Sequence, residues 1–508
     1  MVEQSNTKRI AKNTLMLYFR QILIMLVSLY TVRVVLNILG AEDYGIYNVV
    51  AGVVVLFSFV NNAMANGTQR YLNFYLGKGD VDKTKQVYSS SILIHFFIAI
   101  IFVIVAETVG LWFTNYKLNI PEGRHHAAMV LYQFTIITTV FSILRVPYNA
   151  VIIAYERMSF FALLSIIETI LKLMIVFALK FFPNDKLILY SVLLTLISII
   201  ITFVYKIFCN KEFEIAHYNK VKDIALIKEM LGFSGWSLFG AVANMANSQG
   251  TNIAVNMFTN VTVNAAMGIA NQVNSAVYSF VGNFQTAFNP QIVKSYAEDD
   301  KKYFMNLIFK TSKLSFLLLS FIAVPLLSNT GFVLKIWLKN IPDYSTHFVQ
   351  LIILWSLIDS WNGPLWMSVQ ATGKIRTYQI LVSLFIFFNL PLTIVALYFG
   401  ASPEWVLIIR IIINLYITFW RIFYLSKKIQ LKKLQFIYQV IIRTLLVFVI
   451  SCIGTILIGS FIKNEIIRFF ITCFIGIIFV SLLSLLIGVN KMERKELVDF
   501  ISKKIKRG

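Results

Sequence analysis

Acidic residues are scarce. Across 508 residues, 24 Asp and Glu face 46 Lys and Arg, and all charged residues together make up 14% of the chain. A soluble domain carries about 25% charged residues, so this chain lacks the composition of a solvated surface. Cysteine is nearly absent. Cys209, Cys452 and Cys473 lie far apart in apolar or near-membrane sequence, which excludes a disulfide framework and a cysteine metal spacing. No nucleotide-binding motif is found, so direct ATP hydrolysis by this chain is not expected. Nor is there a soluble domain, a low-complexity tract or a coiled coil. The first ten residues, MVEQSNTKRI, are polar, and no cleavable signal peptide is expected before the first apolar run.

What fills the chain is apolar sequence. Hydrophobic residues make up 58%, and the mean hydropathy is +0.74. The apolar runs reach about 20 residues or more, the length of a helical span, rather than the ten-residue alternation of a barrel strand. The expected fold class is therefore an all-α polytopic membrane protein of about fourteen transmembrane helices. The net charge of +22 invites a nucleic-acid reading, but the cations sit in short inter-helical loops. The even loops and both termini hold them, and the odd loops are poor in them. That alternation is the positive-inside pattern and expects both termini in the cytoplasm.

Two spans carry polar stripes. Asn264, Asn271, Asn274, Ser275, Tyr278, Gly282, Gln285 and Asn289 recur at steps of three, four or seven, which places them on one helix face. Near the N-terminus, Asn48, Gly52, Asn62, Asn66, Gln69 and Asn73 read the same way. In hydrocarbon an unpaired amide costs several kcal/mol, so each stripe must face other helices or water. A shift of 223 carries Asn48 to Asn271, Asn62 to Gln285 and Asn66 to Asn289. A shift of 217 carries Pro147 to Pro364, Ala154 to Ala371 and Arg157 to Lys374. We read a parallel repeat of two six-helix lobes around a central cavity, plus two C-terminal helices. The expected layout is an N-terminal lobe at 1–208, a cytoplasmic linker at 209–227 and a C-terminal lobe at 228–428. Helices thirteen and fourteen follow at 429–490, and a basic tail at 491–508. The first two spans are expected at 12–38 and 44–72, with a loop between them.

Several motifs resemble a known family. The segment LNILGAEDYGIYNVV at 36–50 resembles the hairpin after the first helix of Wzx-type oligosaccharide flippases, polysaccharide transporters of the MATE/MurJ-like (MOP) superfamily. IAYERM at 153–158 and ATGKIR at 371–376 resemble that superfamily's short cytoplasmic turns. NPQIVKSYAEDDKK at 289–302 resembles the end of its eighth helix. The resemblance spans essentially the whole chain. It implies a bundle that alternates between inward- and outward-open states. The implied cargo is an undecaprenyl-pyrophosphate-linked oligosaccharide, flipped across a bacterial inner membrane for surface polysaccharide such as O-antigen, capsule or lipopolysaccharide.

Ionisable groups within spans are functional candidates by default. Arg33 and Arg145 are candidates for a pyrophosphate, because the Arg fork matches phosphate oxygens. Arg20 stands thirteen residues before Arg33. Glu168 and Lys172 are four apart and pair on a helix; the pair either keeps two charges tolerable in lipid or acts as a switch that frees Lys172 for phosphate. Asp359 and Glu168 are the candidates for coupling to H+ or Na+. Arg421, Arg443 and Arg468 lie near span ends, where snorkelling is the simpler reading. Asn62, Asn66, Asn244, Asn271, Gln285 and Asn289 supply donors and acceptors suited to sugar hydroxyls; the plainer reading is that amides glue helices together. No catalytic residue, metal site or cofactor is expected. Membrane lipids and a polysaccharide assembly machinery are the further expected partners. A MATE-like cation or drug antiporter is the nearest alternative. A membrane polysaccharide polymerase or ligase is the alternative from another class, and the short external loops argue against it.

Overall fold

The computed structural model describes residues 2–55, 58–116, 122–182, 185–221, 223–259, 261–338, 341–490 and 493–494. Some side chains within helices, those of Arg33 and Asn62 among them, lie outside the described set, as does the tail from 495 onward. The described residues are mostly helical, with no strand among them. The helices are α1 (Val2–Val55), α2 (Ser58–Gly77), α3 (Val81–Tyr116), α4 (His125–Ala154), α5 (Met158–Phe181), α6 (Lys186–Glu212), α7 (Ile224–Phe258) and α8 (Val261–Ala297). Then come α9 (Lys301–Ser328), α10 (Ser345–Ser360), α11 (Asn362–Thr372), α12 (Arg376–Tyr398), α13 (Trp405–Ile429), α14 (Lys433–Ser460) and α15 (Glu465–Gly488). Among the described residues nine of these, α3 to α6, α9 and α12 to α15, are long and apolar enough to cross a membrane. The chain is an all-α polytopic membrane protein.

The break expected between the first two spans falls at Gly40, where α1 is two helices joined across a kink; its φ of 82° and ψ of 169° leave the helical region. A residue with a Cβ is strained at that φ, so glycine is what lets one residue redirect the helix. Elsewhere acid and amide caps fix where helices begin. Asp80 accepts from the Lys83 amide at 2.9 Å, and Asp300 accepts from the Tyr303 amide at 3.0 Å. Asn464 does the same for the start of α15. Each cap satisfies donors that a helix N-terminus leaves open.

By contacts the chain divides into two compact units. The first holds Met1–Val242 together with Val293–Asp299 and Gly373–Gln379; the second holds Ala243–Ile292, Asp300–Thr372 and Ile380–Gly508. In the first unit α4 and α6 meet along a seam of small polar groups. Thr195 and Thr138 share a hydrogen bond of 2.8 Å, Thr202 donates to the Phe141 carbonyl at 3.4 Å, and the Cys209 thiol donates to the Tyr148 carbonyl at 3.6 Å. The spacing of 195, 202 and 209 keeps all three on one face. Hydrocarbon supplies no hydrophobic force between helices, so close approach and hydroxyl bonds hold such a seam. Beside it, Ala99, Phe102, Ala106, Leu131, Tyr132 and Ile136 form a dry cluster.

In the second unit α9 is central, and Trp361 is its hub. This residue lies in the break between α10 and α11, just before Pro364, and is 1% exposed. Its ring stacks on Phe316 of α9 at 4.7 Å. Its indole donates to Thr444 of α14 at 3.2 Å, and its carbonyl accepts from Ser312 at 3.2 Å. A broken helix frees backbone groups, and Ser312 occupies one of them. The last two helices dock on the same α9. Asn329 donates to Thr472 at 2.8 Å, and buried Lys313 donates to both Glu493 oxygens at 2.7 and 3.0 Å.

At one end of the first unit Arg124 ties three segments together. Its guanidinium holds Asp43 at 2.6 and 2.7 Å and Asp185 at 2.5 and 3.2 Å. Asp185 also caps α6 through the amides of Leu187 and Ile188. Partial burial works against its charge, but the bonds from Arg124 and from the two amides outweigh it and hold the carboxyl below the ordinary 3.8. The bond to Asp185 likewise holds Arg124 above its ordinary value. Because the folded carboxyl is the more acidic, its contribution is whole above 3.8 and drains away as the pH falls toward the folded value. Asp185→Ala removes a cap and one arm of this tie. It is expected to cost about 1–2 kcal/mol, read as a lower thermal midpoint in detergent at neutral pH. The gap to the parent protein should narrow as the pH falls below 3.8; a gap that stays constant would contradict this account.

Candidate functional site

Each unit contains a polar cluster among its helices. In the first, Glu168 of α5 is the centre. Lys172, one turn along the same helix, donates to its Oε1 at 2.8 Å. Arg145 of α4 donates to its Oε2 at 3.0 Å. The helical step of four dictates the first contact; the second comes from the packing of α4 against α5. Arg145 also sits 5.6 Å over the Tyr205 ring of α6. Arg20 of α1 lies 4.7 Å over Phe161 of α5, and it too is within electrostatic reach of Tyr205. Two cations thus share one carboxylate, and Arg20 stands near the same Tyr205. The side chains of Arg145 and Glu168 are under 20% exposed, while Lys172 keeps 44% exposure.

In the second unit Asp359, near the end of α10, is the centre. Tyr278 of α8 donates to its Oδ2 at 2.8 Å. Asn362, at the start of α11, approaches Oδ1 at 3.5 Å and donates to Thr418 at 2.9 Å and Asn414 at 3.2 Å on α13. Arg410 of α13 lies 4.0 Å over the Trp355 ring and feels the Asp359 charge. The stripe on α8 lies against the same broken helix. Asn274 accepts from Ser356 at 2.5 Å, and Gln285 donates to the Ser360 carbonyl at 3.3 Å. Gln285 also fills the space where a side chain on Gly363 would stand.

The structure therefore brings Arg145, Lys172 and Glu168 together, and it sets Gln285 beside the Asp359 network. Asn66 of α2 and Asn244 of α7 are exposed, and Asn271 and Asn289 are half-buried on α8. The Asn289 side-chain oxygen, Oδ1, is buried without a hydrogen-bond partner among the described residues. The side chains of Arg33 and Asn62 lie outside the described residues. Among the described residues no group of three His, Cys, Asp or Glu stands together to hold a metal.

Three contacts escaped the sequence. Arg145 and Glu168 are 23 positions apart on different helices, and nothing local signals their meeting. Arg421, read as a span-end cation, lies within electrostatic reach of Tyr278. Lys313 lies within a span, and its partner is 180 residues away. A lysine at that depth was itself a signal.

The sequence matches no protein-family model, and no curated protein matches it either. Solved structures do. An outward-facing multidrug resistance MATE family transporter of the MOP superfamily is similar with a TM-score of 0.74 at 11% identity, covering 84% of this chain and 97% of that one. A MATE structure in the straight conformation has a TM-score of 0.70 at 11% identity, covering 84% and 96%. A MOP superfamily transporter from Pyrococcus furiosus, described as having a binding pocket of reversed polarity that suggests a different function, has a TM-score of 0.68 at 10% identity, covering 82% and 96%. At this identity the likeness speaks for architecture: the chain has the fold of the MATE transporters of the MOP superfamily.

Proposed function

We propose that this protein is a transporter of an anionic, sugar-bearing lipid. The cargo on this reading is an undecaprenyl-pyrophosphate-linked oligosaccharide, moved by alternating access across the bacterial inner membrane, with both termini in the cytoplasm. The observation that carries it is the pair of cations, Arg145 and Lys172, on a single carboxylate, Glu168. A positive excess among spanning helices is costly, and an arriving diphosphate would complete it with charge-assisted hydrogen bonds. Arg33 and the amides Asn62, Asn66, Asn244, Asn271, Gln285 and Asn289 are proposed to extend the binding surface toward the glycan, whose hydroxyls both donate and accept. Asp359 and Glu168 are the proposed sites of coupling to H+ or Na+.

A MATE-like antiporter of organic cations is the second reading, favoured by the fold. It asks for a carboxylate that a cationic drug can approach alone. Glu168 and Asp359 both share their sites with arginine, which works against that reading. Pocket polarity varies within this architecture, as the description of the P. furiosus transporter states.

The test is flipping of a fluorescent diphosphate-linked glycolipid in proteoliposomes. Arg145→Ala and Arg33→Ala are each expected to slow it about tenfold or more, the scale of losing a charge-assisted hydrogen bond. Unchanged flipping in both would overturn the reading. Asp359→Asn is expected to abolish the dependence on an ion gradient. Single cysteines test the hydrated surface. Replacing exposed Asn66 or Asn244 should give sites that react with a membrane-impermeant thiol reagent, whereas replacing Leu163 or Met174, exposed apolar residues of α5, should give inert ones. Inertness at both asparagine positions would mean that no wet surface exists there.

A further inference from the structure

Two short segments from the second half of the chain, Val293–Asp299 and Gly373–Gln379, belong to the compact unit built from the first half. Their contacts repeat one pattern. In one, Lys294 at the end of α8 donates to the Ala154 carbonyl at 2.6 Å and to Glu156 at 3.2 Å. Ala154 ends α4, and Glu156 lies in the turn before α5 with a φ of 59°. In the other, Arg70 near the end of α2 sets its guanidinium directly against Gly373 in the turn before α12, at a φ of 73°. Arg70 is held there by the rings of Tyr71, Phe74 and Phe233 at 4.4, 4.9 and 5.5 Å.

The two contacts fall on one another under the sequence repeat. The shift of 217 carries Glu156 onto Gly373, and both adopt the left-handed conformation. The shift of 223 carries Tyr71, the neighbour of Arg70, onto Lys294. Each half of the chain thus offers a cation at a helix end and a left-handed turn, and each cation reaches the other half's turn. The helix ends themselves touch: a side chain on Gly77, the last residue of α2, would meet the Lys294 backbone at 2.7 Å. The Glu156 side chain is 1% exposed and that of Lys294 is 19% exposed, so water screens this ion pair little.

The geometry points to a double clasp, in which Lys294 on the Ala154–Glu156 turn and Arg70 on the Gly373 turn hold these helix ends and turns closed. The clasp must open whenever the chain exposes a path on that side. Its strength sets the balance between closed and open states, because a change in contact energy shifts such a balance directly. One arm is an ion pair and the other is a guanidinium against backbone, so the arms are separable by mutation. No particular cargo is required for the clasp to act.

The experiment measures distance by pulsed electron spin resonance on the full chain, with Cys209, Cys452 and Cys473 changed to Ala. Spin labels go at the exposed positions Asp82 and Thr377, one beside each arm. With the clasp intact a short distance should dominate. Lys294→Ala with Arg70→Ala is expected to reduce that population about fivefold or more, with a longer distance appearing. Lys294→Ala alone should fall between. A control pair at Ile137 and Ile200, exposed on α4 and α6, should not change. An unchanged Asp82–Thr377 distance in the double variant overturns the clasp. If the control pair also moves, Lys294→Arg with Arg70 retained decides, because arginine can still donate to both Ala154 and Glu156: a short distance as in the parent supports the clasp, and its loss overturns it. Failure here leaves the glycolipid assay standing, and failure there leaves this one standing.

Discussion

A polar group on a helix in lipid must find its partner inside the protein, and the rest of the architecture depends on how that demand is met. Glu168, Asp359 and Lys313 show three answers. Glu168 takes one partner from its own helix and one from its neighbour. Asp359 takes a tyrosine from α8 and an amide one turn on. Lys313 takes a glutamate from beyond the last helix. Each solution fixes which helices must be neighbours, so buried charge specifies packing here much as turn geometry does in a soluble domain.

The break at Trp361 serves the same constraint from the backbone side. Interrupting a span exposes carbonyls and amides, and here they meet Ser312 and Gln285 rather than lipid. The indole that fills the gap is itself satisfied by Thr444. The result is a rigid knot beside Asp359, which holds the carboxylate at one height in its unit. If Asp359 carries the proposed coupling, support of this kind gives it precision.

Local pattern was legible in the sequence. The helical class followed from run length, the stripe on α8 from steps of three and four, and the Glu168–Lys172 contact from a separation of four. Legibility ended where packing began. No periodicity brings Arg145 to Glu168. The union of Tyr278 with Asp359 spans 81 positions, and only the fold supplies it. The break between the first two helices was legible too: the segment that suggested it contains Gly40, where the backbone leaves the helical region.

The pairing of Lys313 with Glu493 has a consequence for biogenesis. The lysine leaves the ribosome 180 residues before its partner. At about 5–20 residues per second, α9 waits roughly ten to forty seconds with an uncompensated ammonium. During that interval the segment has reason to linger near the insertion machinery or the lipid headgroups instead of settling into its final place. Only when Glu493 arrives does α9 gain the partner that its buried lysine has in the finished fold.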